Sequence, residues 1–113
     1  MSVQEHAITA LGAALEGSRV AFFVASLSDA RMAFDAVAAI APESCVVRRT
    51  NGAESVRTPA GGSVQFVSVR SHGHRGLSLD RVYVPAELAD EHVAAEIAAC
   101  LASSKNPMFI GYL

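Results

Sequence analysis

The stretch Arg70-Ser-His-Gly-His-Arg-Gly-Leu-Ser-Leu-Asp80-Arg-Val-Tyr-Val-Pro-Ala-Glu87 decides how this chain is read. Its first part, polar and broken by glycine, is a loop. Asp80 then leads into a short strand of Arg81, Val82, Tyr83 and Val84. Pro85 has no N–H to give to a ladder, so the strand cannot continue as a central member past it. Beyond Pro85 the chain reads as a sharp exit into a helix. A short, almost wholly apolar strand between a polar loop and a helix is the layout of a buried strand in an α/β sheet.

Upstream the pattern agrees. Ser2 and Glu5 stand in capping-box register, and Val3, Ala7, Ile8, Leu11, Ala14 and Leu15 recur at helical spacing up to a stop at Gly17. Residues 19–25 are a nearly continuous apolar run, too short for a helix and rich in strand formers, as suits a central parallel strand. Ser26 to Asp29 offers a helix start; Ala30, Ala33, Phe34, Val37 and Ile40 carry the helix on to Pro42. Residues 45–49 read as a strand, Asn51-Gly52 as a hairpin turn, and residues 54–58 as the returning strand. After the turn at residues 59–62, residues 64–70 alternate, with Val64, Phe66 and Ser68 on one face and Gln65, Val67 and Val69 on the other. These three strands form an antiparallel meander.

Downstream, Val93, Ile97, Cys100 and Leu101 mark a helix over about residues 90–103. Asn106-Pro107 breaks it, and residues 108–113 form a short apolar strand. The order is helix, strand, helix, meander, strand, helix, strand. That is a three-layer α/β sandwich, its sheet partly parallel, in a single domain over residues 1–113.

Composition narrows the function. The 113 residues are 51% hydrophobic and 18% charged, with a net charge of −2. That is a globular chain with no overall pull toward nucleic acid or acidic lipid. No apolar run approaches the length of a membrane span, and no signal peptide is expected. Cys45 and Cys100 lack metal spacing and read as buried thiols of a cytoplasmic protein.

The stretch from Arg75 to Glu87 resembles the Walker B region of phage terminase large subunits and related helicase-like ATPases. There an Arg-Gly-x-x-x-Asp lead-in precedes an apolar strand that ends in Asp-Glu-Ala at the nucleotide. The resemblance covers most of the chain. On it, residues 2–17 look like the helix after the P-loop and residues 19–40 like the next strand and helix. Residues 60–70 look like the hairpin strand before Walker B. Residues 105–112, Lys-Asn-Pro-Met-Phe-Ile-Gly-Tyr, look like the strand carrying the motif that couples hydrolysis to movement.

The resemblance also shows what is missing. No Gly-x-x-x-x-Gly-Lys-Ser/Thr stretch is present; the one Gly-Gly pair, Gly61-Gly62, is followed by neither Lys nor a helix. The family's metal-binding carboxylate position holds Pro85, and its catalytic-base position holds Ala86. Neither side chain can hold a metal or polarise water. Glu87 comes one residue late. The expectation is therefore no enzyme, no cofactor and no metal site.

In the family the P-loop strand lies beside the terminal strand. Its loss would leave residues 108–113 as an apolar sheet edge, open to another chain. Met108, Phe109, Ile110 and Tyr112 are the candidate interface, pairing with a second copy in a homodimer or with a protein partner; alternatively the amino-terminal helix folds back over the edge. Arg70, His72, His74 and Arg75 are the candidate contacts for phosphate or an acidic partner, with Arg48, Arg49 and Arg57 nearby. A solvated loop is the favoured reading of that cluster. The leading expectation is a non-enzymatic phage-type interaction or regulatory protein of the host cytoplasm. A small nucleic-acid-binding accessory using residues 70–75 is the alternative, and a nucleotide domain completed by another chain is the third.

Overall fold

The computed structural model describes residues 3–50, 53–69 and 77–112. The elements run α1 (Val3–Leu15), β1 (Arg19–Val24), α2 (Leu27–Ile40), β2 (Val46–Arg48), β3 (Ser55–Arg57), β4 (Ser63–Ser68), β5 (Arg81–Pro85), α3 (Glu91–Leu101) and β6 (Met108–Tyr112). One six-stranded sheet has the order β2-β3-β4-β1-β5-β6. β1 pairs in parallel with β4 and β5, and β5 with β6. The β2–β3 and β3–β4 pairs are antiparallel. The three-layer α/β arrangement with an attached meander is thus present.

Strand β1 has no exposed residue after Arg19, because both of its faces are covered. Val20, Phe22 and Val24 face α1 and α2; Ala21 and Phe23 face the α3 side. Phe22 stacks between Phe66 of β4 (5.6 Å, 11°) and Tyr83 of β5 (4.8 Å, 14°), which its register places directly alongside. Such pairs add about 0.5–1.5 kcal/mol each to the burial itself. Phe34 of α2 meets Phe66 edge-on at 5.6 Å.

The helix ends follow their sequence signals. The Ser26 hydroxyl accepts the Asp29 N–H, and the Asp90 carboxylate accepts the Val93 N–H. Gly17 closes α1 at φ 103°, with its N–H on the Ala14 carbonyl and the Ser18 N–H on the Ala13 carbonyl. That is a Schellman end, which needs the left-handed conformation glycine adopts freely. The capping pair at Ser2 and the Asn51-Gly52 turn lie outside the described residues.

Three expectations need correction. Ile8 (61% exposed) and Leu15 (39%) point outward from α1; His6, Ala10 and Ala13 are buried instead, with Ala7, Leu11 and Ala14. At the carboxyl end of α1 the approach is close: a Cβ on Gly62 would lie 2.0 Å from the Ala14 carbonyl oxygen. The strand β5 also runs one residue further, to Pro85, which pairs only with Tyr112 on the β6 side. A single 3₁₀ turn, Ala86–Leu88, separates it from α3. Finally, Cys100 is buried but Cys45 is half-exposed.

Candidate functional site

The parallel strands β1, β4, β5 and β6 bring their carboxyl ends to one end of the sheet, where open α/β folds place their sites. At β5 that end is Pro85 and Ala86, followed by the exposed Glu87 in the 3₁₀ turn. No carboxylate stands at the last strand position.

An aromatic cluster fills the space beside it. The His6 ring of α1 lies 4.8 Å from Tyr112 of β6 and 5.5 Å from Tyr83 of β5. The Tyr83 hydroxyl pairs with the Thr9 hydroxyl at 2.6 Å and accepts a 3.1 Å hydrogen bond from Arg81. His6 Nε2 is buried with no hydrogen-bond partner among the described residues. Burial pushes the imidazole below its usual range. Burial, reinforced by the charges of Asp29 and Glu87, pushes the Tyr112 phenol up. The cluster is a packed, neutral plug. The sequence hinted at none of it, because a lone histidine at the start of a helix carries no pattern.

At the opposite end of the strands, Asp80 ties three of them together. Its Oδ2 accepts from the Arg19 N–H at 2.8 Å and its Oδ1 from the Ser104 hydroxyl at 2.8 Å. Its own N–H bonds the Arg19 carbonyl, and its carbonyl accepts the Met108 N–H. The Arg19 N–H, foremost among these contacts, holds the Asp80 carboxyl below its usual range.

β6 ends the sheet. The Met108 N–H bonds inward to the Asp80 carbonyl at 3.0 Å. Backbone direction alternates along a strand, so the N–H groups of Phe109 and Gly111 point away from β5, to the outer edge. The four residues expected at an interface do not share one environment. Met108 (44%) and Phe109 (42%) are exposed. Ile110 and Tyr112 are half-buried and pack with the α1 side of the core. α1 therefore covers one face of β6 and leaves the backbone edge without a strand among the described residues.

The loop residues Arg70, His72, His74 and Arg75 lie outside the described residues. Of the neighbouring cations, Arg49 is committed to the surface of α2, 3.6 Å from Asp35 and 5.2 Å above the Phe34 ring. Arg48 and Arg57 lie elsewhere, on the other face of the meander.

Helices on both faces of a mainly parallel sheet, with a short meander on one side, make a three-layer α/β class of fold. Among solved structures, the chain is similar to the large terminase of bacteriophage HK97, with a TM-score of 0.74 and 14% identity over 96% of this chain. It is also similar to the large terminase of a thermophilic bacteriophage, with TM-scores of 0.63 and 0.61 at 8% and 10% identity in two crystal forms, one with ADP. The fold is terminase-like. The chain spans 25–29% of the length of those terminase chains. No family model matches the chain, and no curated protein matches its sequence.

Proposed function

We propose that this chain is a non-enzymatic interaction protein of phage or prophage type, built on a terminase-like ATPase core, that works in the host cytoplasm by taking a strand onto the outer edge of β6. The observation that carries this is the edge itself. It offers the outward N–H groups of Phe109 and Gly111 beside the exposed Met108 and Phe109 side chains, and no charged residue lies within β6 to repel an incoming strand. Pro85 and Ala86 support the non-enzymatic part, since neither can position a metal or an attacking water. No helix among the described residues is long and apolar enough to cross a membrane.

The test is light scattering on the full chain and on Gly111→Pro. A Cβ at position 111 meets nothing within 4 Å. Proline there deletes one outward N–H and leaves the inward bonds to β5 intact. A dimer that dissociates in the variant places the partner strand, a second copy, on this edge. A wild-type monomer calls for the same comparison on whatever protein it captures. An assembly indifferent to Gly111→Pro and to Phe109→Lys overturns the proposal.

A further inference from the structure

Given the open β6 edge proposed above, the strand itself selects its partner. A second copy that meets the same edge across a two-fold axis runs antiparallel to it, with the axis perpendicular to the sheet. Residues whose backbone points outward must oppose their like, or the N–H and C=O groups miss each other. On β6 these are Phe109 and Gly111, since Met108 bonds inward to the Asp80 carbonyl. The axis can then sit at Phe109, Ile110 or Gly111. At Phe109 it sets Gly111 against the partner's Pro107, which has no N–H to give. At Gly111 it sets glycine against glycine and moves Phe109 past the last residue of the partner's β6.

An axis at Ile110 matches every residue of the strand. Phe109 and the partner's Gly111 exchange both backbone bonds, and symmetry repeats the exchange, so both outward N–H groups of each copy are used. Opposed side chains share a face. Phe109 and Gly111 align with Val82 and Val84 of β5, on the α3 side. Phe109 is 42% exposed, and a Cβ on Gly111 would meet nothing within 4 Å. The exposed ring of one copy thus finds open space over the glycine of the other. On the α1 side, the exposed Met108 opposes the partner's Tyr112, and Ile110 opposes the partner's Ile110. Thioether against ring and isoleucine against isoleucine are favourable cross-strand pairs. β6 carries no charge that would meet its own copy.

We infer that the partner of β6 is β6 of a second copy, antiparallel, with the two-fold axis at Ile110 and each Phe109 laid over the partner's Gly111. The two sheets run on into one, with α1 of both copies on the same face.

Disulfide trapping in the full chain carrying Cys45→Ser tests this; Cys100, 3% exposed, stays in place. Opposed Cα atoms lie about 4.5–5.5 Å apart, within disulfide reach, and diagonal ones about 7–8 Å, outside it. Ile110→Cys should crosslink to itself on mild oxidation, and adding Gly111→Pro should abolish that crosslink. Phe109→Cys and Gly111→Cys should each stay mainly uncrosslinked alone and crosslink when mixed in equal amounts. Both positions are exposed, so this pair reads the register even where Ile110→Cys disturbs the fold. Self-crosslinking of Phe109→Cys or of Gly111→Cys at the level of the mixture moves the axis and overturns the inference. A monomer without crosslinks overturns the second copy as partner and leaves the edge to another protein. An assembly that forms without crosslinks and ignores Gly111→Pro overturns the edge reading as well.

Discussion

The sheet has two edges, and they are built differently. β2, at one end, is three residues long, with Arg48 as its last residue and Arg49 directly after it. β6, at the other, is five residues long and uncharged, with Met108 and Phe109 exposed. Shortness and arginine are ordinary ways of blunting an edge against stray pairing. β2 has both and β6 has neither. The comparison teaches that one edge is closed to strangers while the other is left able to accept a strand.

Breaking the packing of the β3–β4 turn against α1 has the largest expected effect. Gly62→Ala would push a Cβ into the Ala14 carbonyl at the β3–β4 turn. Thr58 shares that junction, its hydroxyl donating to Ala14 O at 2.6 Å and accepting the Gly62 N–H. We expect a loss of roughly 3–5 kcal/mol in urea unfolding, at the high end for one methyl because the obstacle is backbone.

Asp80→Ala comes next and acts on the β6 half. It removes the acceptor for the Arg19 N–H and the Ser104 hydroxyl, and should cost about 1–2 kcal/mol. The carboxyl is held below its ordinary range in the fold. Its contribution is therefore full above about pH 4 and is lost as pH falls further, and the variant should show a flatter acid limb.

His6 gives a smaller effect at milder pH. Its folded pKa is lowered by burial, with Glu5 pulling the other way. The folded state thus resists a proton that the unfolded chain accepts below about pH 6.5. The urea midpoint should fall between about pH 7.5 and 5.5, and should fall less in His6→Leu. If the two chains lose stability equally, the aromatic plug beside β6 is not the titrating element.

The smallest expected effect sharpens the contrast at the other edge. Val46 is 65% exposed on β2, so Val46→Lys should change stability by no more than about 0.5 kcal/mol and leave the oligomeric state unchanged. Phe109→Lys, on β6, should alter assembly instead. Light scattering on the pair separates the edges.

Much of this fold is legible in the sequence, because its strands are short, apolar and well punctuated. The run through Phe22 and Phe23, the Pro85 stop, and the caps at Ser26 and Asp90 each act within a few residues. The side of α1 that is buried is not legible. Periodicity favours the large apolar residues Ile8 and Leu15, but both point outward, and His6 and Leu11 share the inner face with Ala7, Ala10, Ala13 and Ala14. The candidate edge at residues 108–112 could be anticipated through the family resemblance. The split of its side chains, with Ile110 and Tyr112 turned inward, depends on the β5–β6 register.

The hydrogen bonds of Asp80 gather the starts of β1, β5 and β6, while at the far ends the β1–β5 register stops at Tyr83 and the β5–β6 ladder at Tyr112, with His6 packed on both tyrosines. A sheet clasped at one end opens like a fan from the other. Amide hydrogen exchange in this half should run as a gradient along the strands, fastest near Tyr112 and slowest near Asp80. An incoming strand would then find the loosest part of the edge first and zip toward the clasp.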